Sequence, residues 1–211
     1  MNQALLDAFK KKYEALSGVV HVCADDTAAL TAIAGVCKEA AATHVCCADL
    51  SPTLQAALEA LARTAGITVL NQPYDPATLP AAIDQCQVGV SSAAFAVAPM
   101  GAFVELTVDD AVRIVSTLPR THIAVIHADT ILATLPEAAP RVDDYFRRNG
   151  AHAAVTFVSG PSRTGDIEMR LTLGVHGPVS SHVVVLTGPA PAAATAATAA
   201  SAAANLEKSP A

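Results

Sequence analysis

The sequence predicts a three-layer α/β domain with a mixed, mostly parallel sheet. In the first half of the 211-residue chain, short apolar runs alternate with amphipathic stretches of ten or more residues. This alternation is typical of parallel strands joined by right-handed helical crossovers. From residue 87 onward the apolar runs follow one another closely, which indicates a hairpin within a mixed sheet. A chain of this length can bury one sizeable core, so a single domain is expected.

Three strands and four helices are expected in the first half. The strands are the apolar runs at residues 19–23, 44–47 and 67–70. A helix boundary is marked by a side chain that accepts hydrogen bonds from the first turn, by a first-turn proline, or by a terminal glycine. In chain order these markers are Gly18, Asp26 or Thr27, Ser51-Pro52, Gly66 and Asp75-Pro76.

Six strands and two helices are expected in the second half. The strands are residues 87–91, 94–98, 102–107, 122–126, 153–159 and 182–186, with a bend at Met100-Gly101. Asp109-Asp110 can cap a short helix that ends at Thr117, and a second helix is expected at residues 136–148, before Asn149-Gly150. The predicted domain covers residues 1–187. Residues 188–211 form an Ala/Pro/Thr-rich, low-complexity tail that cannot anchor to a core and is excluded from function.

Composition excludes several function classes. The net charge is −6 and no basic stripe with interleaved aromatic residues is present, so nucleic acid is not an expected partner. No apolar run approaches the roughly 20 residues that a membrane-spanning helix needs. The first 16 residues carry charges within an amphipathic repeat rather than a signal-peptide pattern. We therefore expect a soluble, cytoplasmic protein.

The five cysteines are expected to be reduced residues of the core. They are Cys23, Cys37, Cys46, Cys47 and Cys86. Their number is odd, and no Cys-x-x-Cys spacing occurs, which argues against a disulfide framework and against iron–sulfur ligation by this chain. Adjacent Cys46 and Cys47 suggest redox chemistry, but on a strand their side chains would point to opposite faces.

A polar segment at residues 159–168 is the strongest candidate for a binding site. It reads Ser-Gly-Pro-Ser-Arg-Thr-Gly-Asp-Ile-Glu and follows a predicted strand, where α/β proteins usually place ligands. The guanidinium of Arg163 is suited to a carboxylate or a phosphate. Ser159, Ser162 and Thr164 can add hydroxyl donors, and Gly160 permits close backbone approach.

Asp166 and Glu168 leave two interpretations open. They could orient Arg163 or act as a base, or they could form an internal clamp with Arg163 that only stabilises a turn. His176, in the following Leu-Gly-Val-His-Gly-Pro segment, is the best histidine for acid–base chemistry, although a turn histidine more often bonds to backbone. A metal site built from His176, His182 and Glu168 is rejected, because the spacing matches no standard ligand pattern.

Other motifs are weaker. No Gly-x-Ser-x-Gly elbow, Walker loop or dinucleotide-binding glycine fingerprint occurs. Ser91-Ser92 and Met100-Gly101 follow predicted strands and could line the same cleft as the polar segment.

Five segments, taken together, resemble the lactate-utilization (LUD) domain family. They are residues 90–101, residues 118–125 (Leu-Pro-Arg-Thr-His-Ile-Ala-Val), residues 159–168, residues 173–178 and the predicted strand at residues 182–186. The resemblance implies a fold like that of the CoA-transferase and ribose-phosphate-isomerase group. It also implies a non-redox role in the oxidation of L-lactate to pyruvate, in which the chain binds a small carboxylate or its partner subunits. Iron–sulfur clusters would lie in those partners, and no cofactor is expected on this chain.

One departure from the family pattern affects the expected chemistry. Family members commonly show Ala-Glu-Thr-Gly-Thr where this chain has Ala98-Pro99-Met100-Gly101-Ala102, so Gly101 stays while the acidic residue is lost. In related folds a glutamate in a comparable loop can be the nucleophile. The loss favours binding or assembly, or a site built around Arg163, Asp166, Glu168 and His176.

Two alternatives to the lactate-oxidation role remain at this point. One is a stand-alone enzyme or binding protein for a phosphorylated or CoA-linked molecule, with His176 or Glu168 as base. The other is a scaffold protein whose ligand site has decayed.

Overall fold

Two large sheets, a two-stranded ribbon and six helices make up the computed structural model, which describes residues 1–165 and 172–188. The helices are α1 (Gln3–Ala15), α2 (Asp26–Glu39), α3 (Pro52–Ala65), α4 (Leu79–Asp84), α5 (Asp110–Thr117) and α6 (Ala139–Asn149). The strands are β1 (Val19–Cys23), β2 (His44–Ala48), β3 (Thr68–Leu70), β4 (Val88–Ser92), β5 (Phe95–Val97), β6 (Ala102–Thr107), β7 (Thr121–His127), β8 (Ile131–Leu132), β9 (Ala154–Val158), β10 (Arg163–Thr164), β11 (Thr172–Leu173) and β12 (Ser180–Leu186). Asp166, Glu168 and the tail from residue 189 lie outside the described residues.

The larger sheet is parallel throughout, which agrees with the predicted fold class. Its six strands have the order β1-β12-β7-β4-β2-β3, and every neighbouring pair is parallel. Because all six strands point the same way, their first residues share one edge, the amino edge, and their last residues share the carboxyl edge.

The predicted hairpin lies in a separate sheet. After β4, Ala93 donates its N–H to the carbonyl of Val125 and Ala94 donates to the carbonyl of Val104, which directs the chain away from the parallel sheet. Strands β5 and β6 then form the hairpin within a four-stranded mixed sheet of order β8-β5-β6-β9. Spacing along the sequence predicted the hairpin, but the sheet it joins depends on distant partners.

Apolar side chains cover both faces of the parallel sheet. On one face, α2 and α3 contribute Ile33 and Leu54 to a core that includes Val184. On the other face, α1 packs with the second sheet through Phe9 and Phe103. Helices α4 and α5 cover the β2 end of that face, and α6 packs on the outer side of the second sheet. The parallel sheet is therefore covered on both faces, as predicted, while α6 adds a further layer outside the second sheet.

Several helix boundaries follow the sequence markers closely. Ser51 caps α3 and Gly66 ends it in a left-handed conformation. Asp25, rather than Asp26 or Thr27, is the N-cap of α2. Helix α6 begins three residues later than predicted, because residues 135–138 form a 3₁₀ turn instead.

The cysteines are buried and free, as the sequence predicts. Cys47 packs in the core beneath α2 and α3, whereas Cys46 packs on the opposite face with Cys86. In the described part of the chain, no helix is both long and apolar enough to cross a membrane.

Candidate functional site

The polar loop at residues 159–164 reaches the amino edge of the parallel sheet. It follows β9, which belongs to the second sheet and runs antiparallel to β6. Gly160 contacts the carbonyl of Leu16, just before β1, and Ser162 bonds to Pro178, just before β12. The rule for parallel α/β sheets, which predicts a site at the carboxyl edge, therefore does not locate this loop.

Two glycines allow the site to pack against the end of α1. Gly160 has a φ of +93°, and a Cβ there would lie 2.6 Å from the carbonyl oxygen of Leu16. Gly101 has a φ of +57°, and its Cβ would lie 2.8 Å from the backbone nitrogen of Tyr13. Because only glycine adopts these conformations without strain, the structure brings Gly101 and the polar loop to the same end of α1.

The polar loop is joined to the His176 turn by backbone hydrogen bonds. Ser162 donates its N–H to the carbonyl of Pro178 at 3.0 Å, and its own carbonyl accepts from Gly174 at 2.8 Å. Strands β10 and β11 pair antiparallel beside these bonds. The two motifs that sequence reasoning considered together are thus one structural unit.

Arg163 is half-buried and bonds within its own loop. Its Nη2 atom donates to the carbonyl oxygen of Ser159 at 2.9 Å. Among the described residues this is the one hydrogen bond of the guanidinium, which has five donor hydrogens. The predicted clamp partners Asp166 and Glu168 fall in the segment that the structure does not describe.

Arg120 is a site residue that sequence reasoning did not assign. Its Nη1 atom donates to the carbonyl oxygen of Gly174 at 3.0 Å. Its backbone carbonyl accepts from Val179 at 2.8 Å and from Ser180 at 3.2 Å. The Leu118-Pro119-Arg120 segment could have indicated Arg120 from the sequence, because this segment belongs to the motifs that resemble the family.

His176 is exposed in the turn that these bonds stabilise. Gly174 and Gly177 on either side have positive φ angles of +65° and +67°. A Cβ on Gly177 would lie 3.7 Å from the Cβ of Ser162, so the turn lies against the polar loop. His182 does not join this site, since it stacks on His21 with ring centroids 5.4 Å apart.

These segments form one surface, which we call the amino-edge surface: residues 118–120, 159–164 and 172–178. Exposed apolar side chains occur in the same segments as its two arginines, Arg120 and Arg163. Leu118, Leu173 and Val175 are each between 37% and 43% exposed. The surface thus combines cations, hydroxyl groups and apolar contacts, the mixture that an organic anion or a protein partner would need.

The carboxyl edge has the opposite character. The N-terminus of α2 is capped by Asp25, which accepts from Ala28 at 2.9 Å, and that of α5 by Asp109, which accepts from Ala111 at 2.8 Å. The side chain of Gln72 links Asp109 to the backbone of Asp49. Aspartates already occupy the positions where a helix terminus would hold an anion, so this edge disfavours an anionic ligand.

A buried polar row lies between the two sheets and was not predicted. Ser91 Oγ donates to Glu105 Oε1 at 2.8 Å and lies 2.8 Å from Nε2 of His122. All three side chains are at most 1% exposed. Ser91 therefore lies in the core. The sequence-based expectation that it lines the cleft is wrong. The sequence feature that could have predicted this buried row is Glu105 itself, an acidic residue within a mostly apolar strand.

Burial disfavours the charged forms of both titratable groups in this row. Desolvation raises the pKa of Glu105, the hydroxyl groups of Ser91 and Ser116 lower it, and the nearby charge of Asp49 raises it further. Desolvation lowers the pKa of His122 to about 3, with a further contribution from His182. Tyr13 extends the polar row toward the amino edge, since its hydroxyl lies 2.6 Å from Ser181 Oγ.

The architecture and the joined loops define a class of two-sheet α/β domains. A crystal structure of a DUF162 family protein from Deinococcus radiodurans has the same fold, with a TM-score of 0.61 and 22% sequence identity over 88% of this chain and 99% of that one. The LUD domain model matches residues 6–186. This chain therefore belongs to the LUD domain family.

Curated relatives match about half of the chain. Lactate utilization protein C from Geobacillus kaustophilus is 31% identical over 107 residues, which are 50% of this chain and 45% of the relative. The proteins of the same name from Bacillus subtilis and from an Exiguobacterium species are 32% and 36% identical, over 49% and 48% of this chain and 44% and 45% of the relatives. The matched region thus spans less than half the length of these relatives.

Proposed function

We propose that this chain acts in lactate utilization and binds a small carboxylate, L-lactate or pyruvate, at the amino-edge surface. The main observation in support is the pair of hydrogen bonds between Ser162 and the His176 turn. These bonds join the two most distinctive motifs into one surface beside Arg163. The names of the curated relatives support the metabolic role.

The distribution of charge supports an anionic ligand at this surface. Arg120 and Arg163 lie at the amino edge, whereas Asp25, Asp49 and Asp109 lie at the carboxyl edge. An arginine fork matches the two oxygens of a carboxylate. The hydroxyl groups of the polar loop can hydrogen-bond to the same ligand or to the neighbouring oxygen of lactate.

The redox step is proposed to take place in partner subunits that hold iron–sulfur clusters. Removing two electrons and two protons from L-lactate requires an electron acceptor. The cysteines of this chain pack as apolar residues, since Cys23, Cys37 and Cys47 share one core cluster while Cys46 and Cys86 share another. We therefore assign this chain a binding role and no catalytic step.

Titration of the pure protein with L-lactate and with pyruvate tests the proposal. Arg163→Ala should weaken binding about tenfold or more, because a charge-assisted pair contributes roughly 1.5–3 kcal/mol. Arg163→Lys should retain part of the affinity. Arg147→Ala is a matched control, because Arg147 is exposed on α6 and pairs with Asp143. Absence of binding by the wild type, or full binding by Arg163→Ala, would contradict the carboxylate site.

A phosphorylated or CoA-linked ligand is a second candidate. The hydroxyl groups of Ser159, Ser162 and Thr164 next to Arg163 also suit a phosphate, which needs more donors than a carboxylate. His176, exposed beside Ser162, would then be available as a base. Thermal-shift screening against sugar phosphates and CoA esters separates the two. Stabilisation by phosphorylated compounds alone, lost in Arg163→Ala, would replace the first proposal.

Docking of iron–sulfur partner subunits can be tested apart from the ligand. Affinity capture from lactate-grown cells should recover iron–sulfur proteins with the wild type. Capture that is retained by Arg163→Ala but lost on substitution of exposed Leu173 would indicate that the apolar part of the surface holds the partner.

A further inference from the structure

Glu105 is a buried carboxyl group with a single hydrogen bond. It lies in β6 and is 1% exposed. Its Oε1 atom accepts from Ser91 at 2.8 Å, while Oε2 has no hydrogen-bond partner within the described parts of the chain. A carboxylate held this way would be poorly stabilised, because burying a charge is costly unless it is paired and fully hydrogen-bonded.

Protonation of Glu105 would improve its hydrogen bonding. Ser116 of α5 lies close to the carboxyl group. The Ser116 hydroxyl donates its hydrogen to the carbonyl of Arg113 at 3.2 Å. In that orientation an ionised Oε2 receives no hydrogen from Ser116, whereas a protonated Oε2 can donate to the lone pairs of the Ser116 oxygen. A Ser116 hydroxyl turned toward the carboxylate would instead lower the pKa of Glu105.

His122 cannot serve as a direct counter-ion. Its Nε2 atom is 3.9 Å from Glu105 Oε1 but only 2.8 Å from Ser91 Oγ, so the serine lies between the acid and the base. When Ser91 donates to Glu105, Nε2 of His122 must donate to Ser91, since the serine has a single hydrogen. The tautomer of His122 is thus linked through Ser91 to the hydrogen-bonding state of Glu105.

The charged groups around the row favour the neutral forms. Asp49, at the end of β2, disfavours a second negative charge on Glu105. His182, on β12, disfavours a positive charge on His122. The other titratable neighbour is Tyr13 of α1, which contacts the row through the ring of Phe103. Burial raises the pKa of Tyr13 as well, so it stays neutral.

Helix α5 lies directly over this row. A Cβ on Gly89 would lie 2.1 Å from the carbonyl oxygen of Val115, so the helix backbone touches β4 two residues before Ser91. Helix α5 ends at Thr117, three residues before Arg120, whose side chain and carbonyl hold the His176 turn. A displacement of α5 would therefore also move Arg120, because only three residues separate Arg120 from the end of the helix.

We propose that Glu105, Ser91 and His122 form a buried, hydrogen-bonded protonation switch in which Glu105 holds the proton at neutral pH, and that its ionisation releases α5 and the segment that joins α5 to Arg120. In this step the O–H bond of Glu105 breaks, the electron pair stays on the carboxylate, and the proton passes to solvent. The new charge requires water, which enters by displacing α5. The switch stands independently of ligand binding, and only its effect on affinity rests on the proposed function.

The pH dependence has a definite sign. A carboxyl pKa that is higher in the folded than in the unfolded chain stabilises the protein while protonated. This contribution is complete below the unfolded value of about 4.5 and is lost as pH rises through the folded value. Alkaline pH should therefore loosen α5, and Glu105→Gln should remove that loss.

Carboxyl ¹³C NMR of the ligand-free wild type tests where the proton resides. The Glu105 signal should titrate above the range of the other glutamates, and titration at the ordinary value would overturn the proposal. Because this measurement needs no variant, it does not depend on whether a substitution at position 105 folds.

Melting profiles between pH 5 and pH 9 test whether ionisation of Glu105 releases α5. Wild-type protein should lose at least about 2 °C more in Tm than Glu105→Gln as pH rises, while Glu14→Gln, at an exposed position on α1, should follow the wild type. Amide exchange at Gly174 should accelerate with pH beyond its intrinsic rate in the wild type only. Parallel profiles in wild type and Glu105→Gln would overturn the protonation switch. Unchanged exchange at Gly174 would overturn its link to the amino-edge surface, and pyruvate titration at pH 7 tests the proposed function separately.

Discussion

The guanidinium of Arg120 donates a 3.0 Å hydrogen bond to the carbonyl of Gly174, 54 residues further along the chain. This bond connects the entry of β7 to the turn that presents His176. The carbonyl of Arg120 accepts from Val179 and Ser180 at the entry of β12. Arg120 therefore positions the His176 turn relative to the parallel sheet.

Replacing Arg120 should loosen this turn without unfolding the domain. Arg120→Ala removes one side-chain hydrogen bond, so we expect a loss of roughly 0.5–1.5 kcal/mol in the free energy of unfolding. Amide exchange at Gly174 and His176 should become faster than in the wild type. Arg120→Lys should be intermediate, because lysine retains the charge but not the planar fork. Unchanged exchange in Arg120→Ala would show that the backbone bonds suffice.

Substitution of Gly160 should be costly. Gly160→Ala places a Cβ 2.6 Å from the carbonyl oxygen of Leu16 at a φ of +93°. We expect a loss of roughly 1–3 kcal/mol in stability. Gly165→Ala is a suitable control, since a Cβ there meets no atom of the described residues within 4 Å. Urea denaturation of both variants measures the difference, and equal midpoints would contradict the close approach.

The hydroxyl of Tyr13 should contribute to stability from within the core. Tyr13→Phe removes its 2.6 Å hydrogen bond to Ser181 and leaves a buried hydroxyl without its partner. The expected loss is roughly 1–3 kcal/mol. Tyr145→Phe provides the comparison, because the Tyr145 hydroxyl makes no hydrogen bond to the described residues although the residue is only 5% exposed. If both variants melt alike, the Tyr13 bond contributes nothing.

Acid should destabilise the protein through its buried histidines. Burial lowers the pKa of His182 to about 4, with a further effect of His21, and it lowers that of His122 to about 3. Both values lie below the unfolded value of 6.5, so the unfolded chain binds more protons and stability falls as pH drops from 6.5 toward 4. Denaturant midpoints should show this fall in the wild type and a smaller one in His182→Asn. His152→Asn, at an exposed position, should keep the wild-type slope, and a pH-independent midpoint in the wild type would contradict the argument.

Thiol reactivity should separate one cysteine from the rest. All five cysteines are buried, so native protein should react with a thiol reagent far more slowly than denatured protein, which should titrate five thiols. Cys86 should react first, because the neighbouring Cys46 side chain lowers its pKa whereas burial raises that of Cys37 to about 11. Cys86→Ser should abolish the fastest phase. A fast phase that persists in that variant would assign it to another cysteine.

Local signals in the sequence predicted most of the elements. Ser51-Pro52, Gly66 and Asp109 function as helix boundaries where they were expected, because capping depends on residues only a few positions apart. Strand β6 was also predicted with its observed bounds. The start of α6 was misplaced, because a 3₁₀ turn and an α-helix begin with similar residues.

The residues of the candidate site were proposed from the sequence, but their position in the fold was not. Ser162, Arg163 and His176 were recognisable from the motif, and the loop and the turn do lie together. The edge of the sheet that they occupy was not predictable, since it depends on β9 pairing with β6 rather than with a parallel neighbour. The role of Arg120 was hidden for the same reason, because its partner Gly174 is distant in sequence.

The sequence by itself determined the α/β class, the capped helices and the polar loop as a site candidate, because apolar periodicity and turn chemistry act over a few residues. Tertiary structure alone decided that the hairpin forms a second sheet, that the polar loop lies at the amino edge, and that Ser91, Glu105 and His122 meet in the core. These relationships depend on pairing between strands far apart in the chain. The pKa of Glu105 depends in turn on its burial, so it is raised only once the two sheets have packed together.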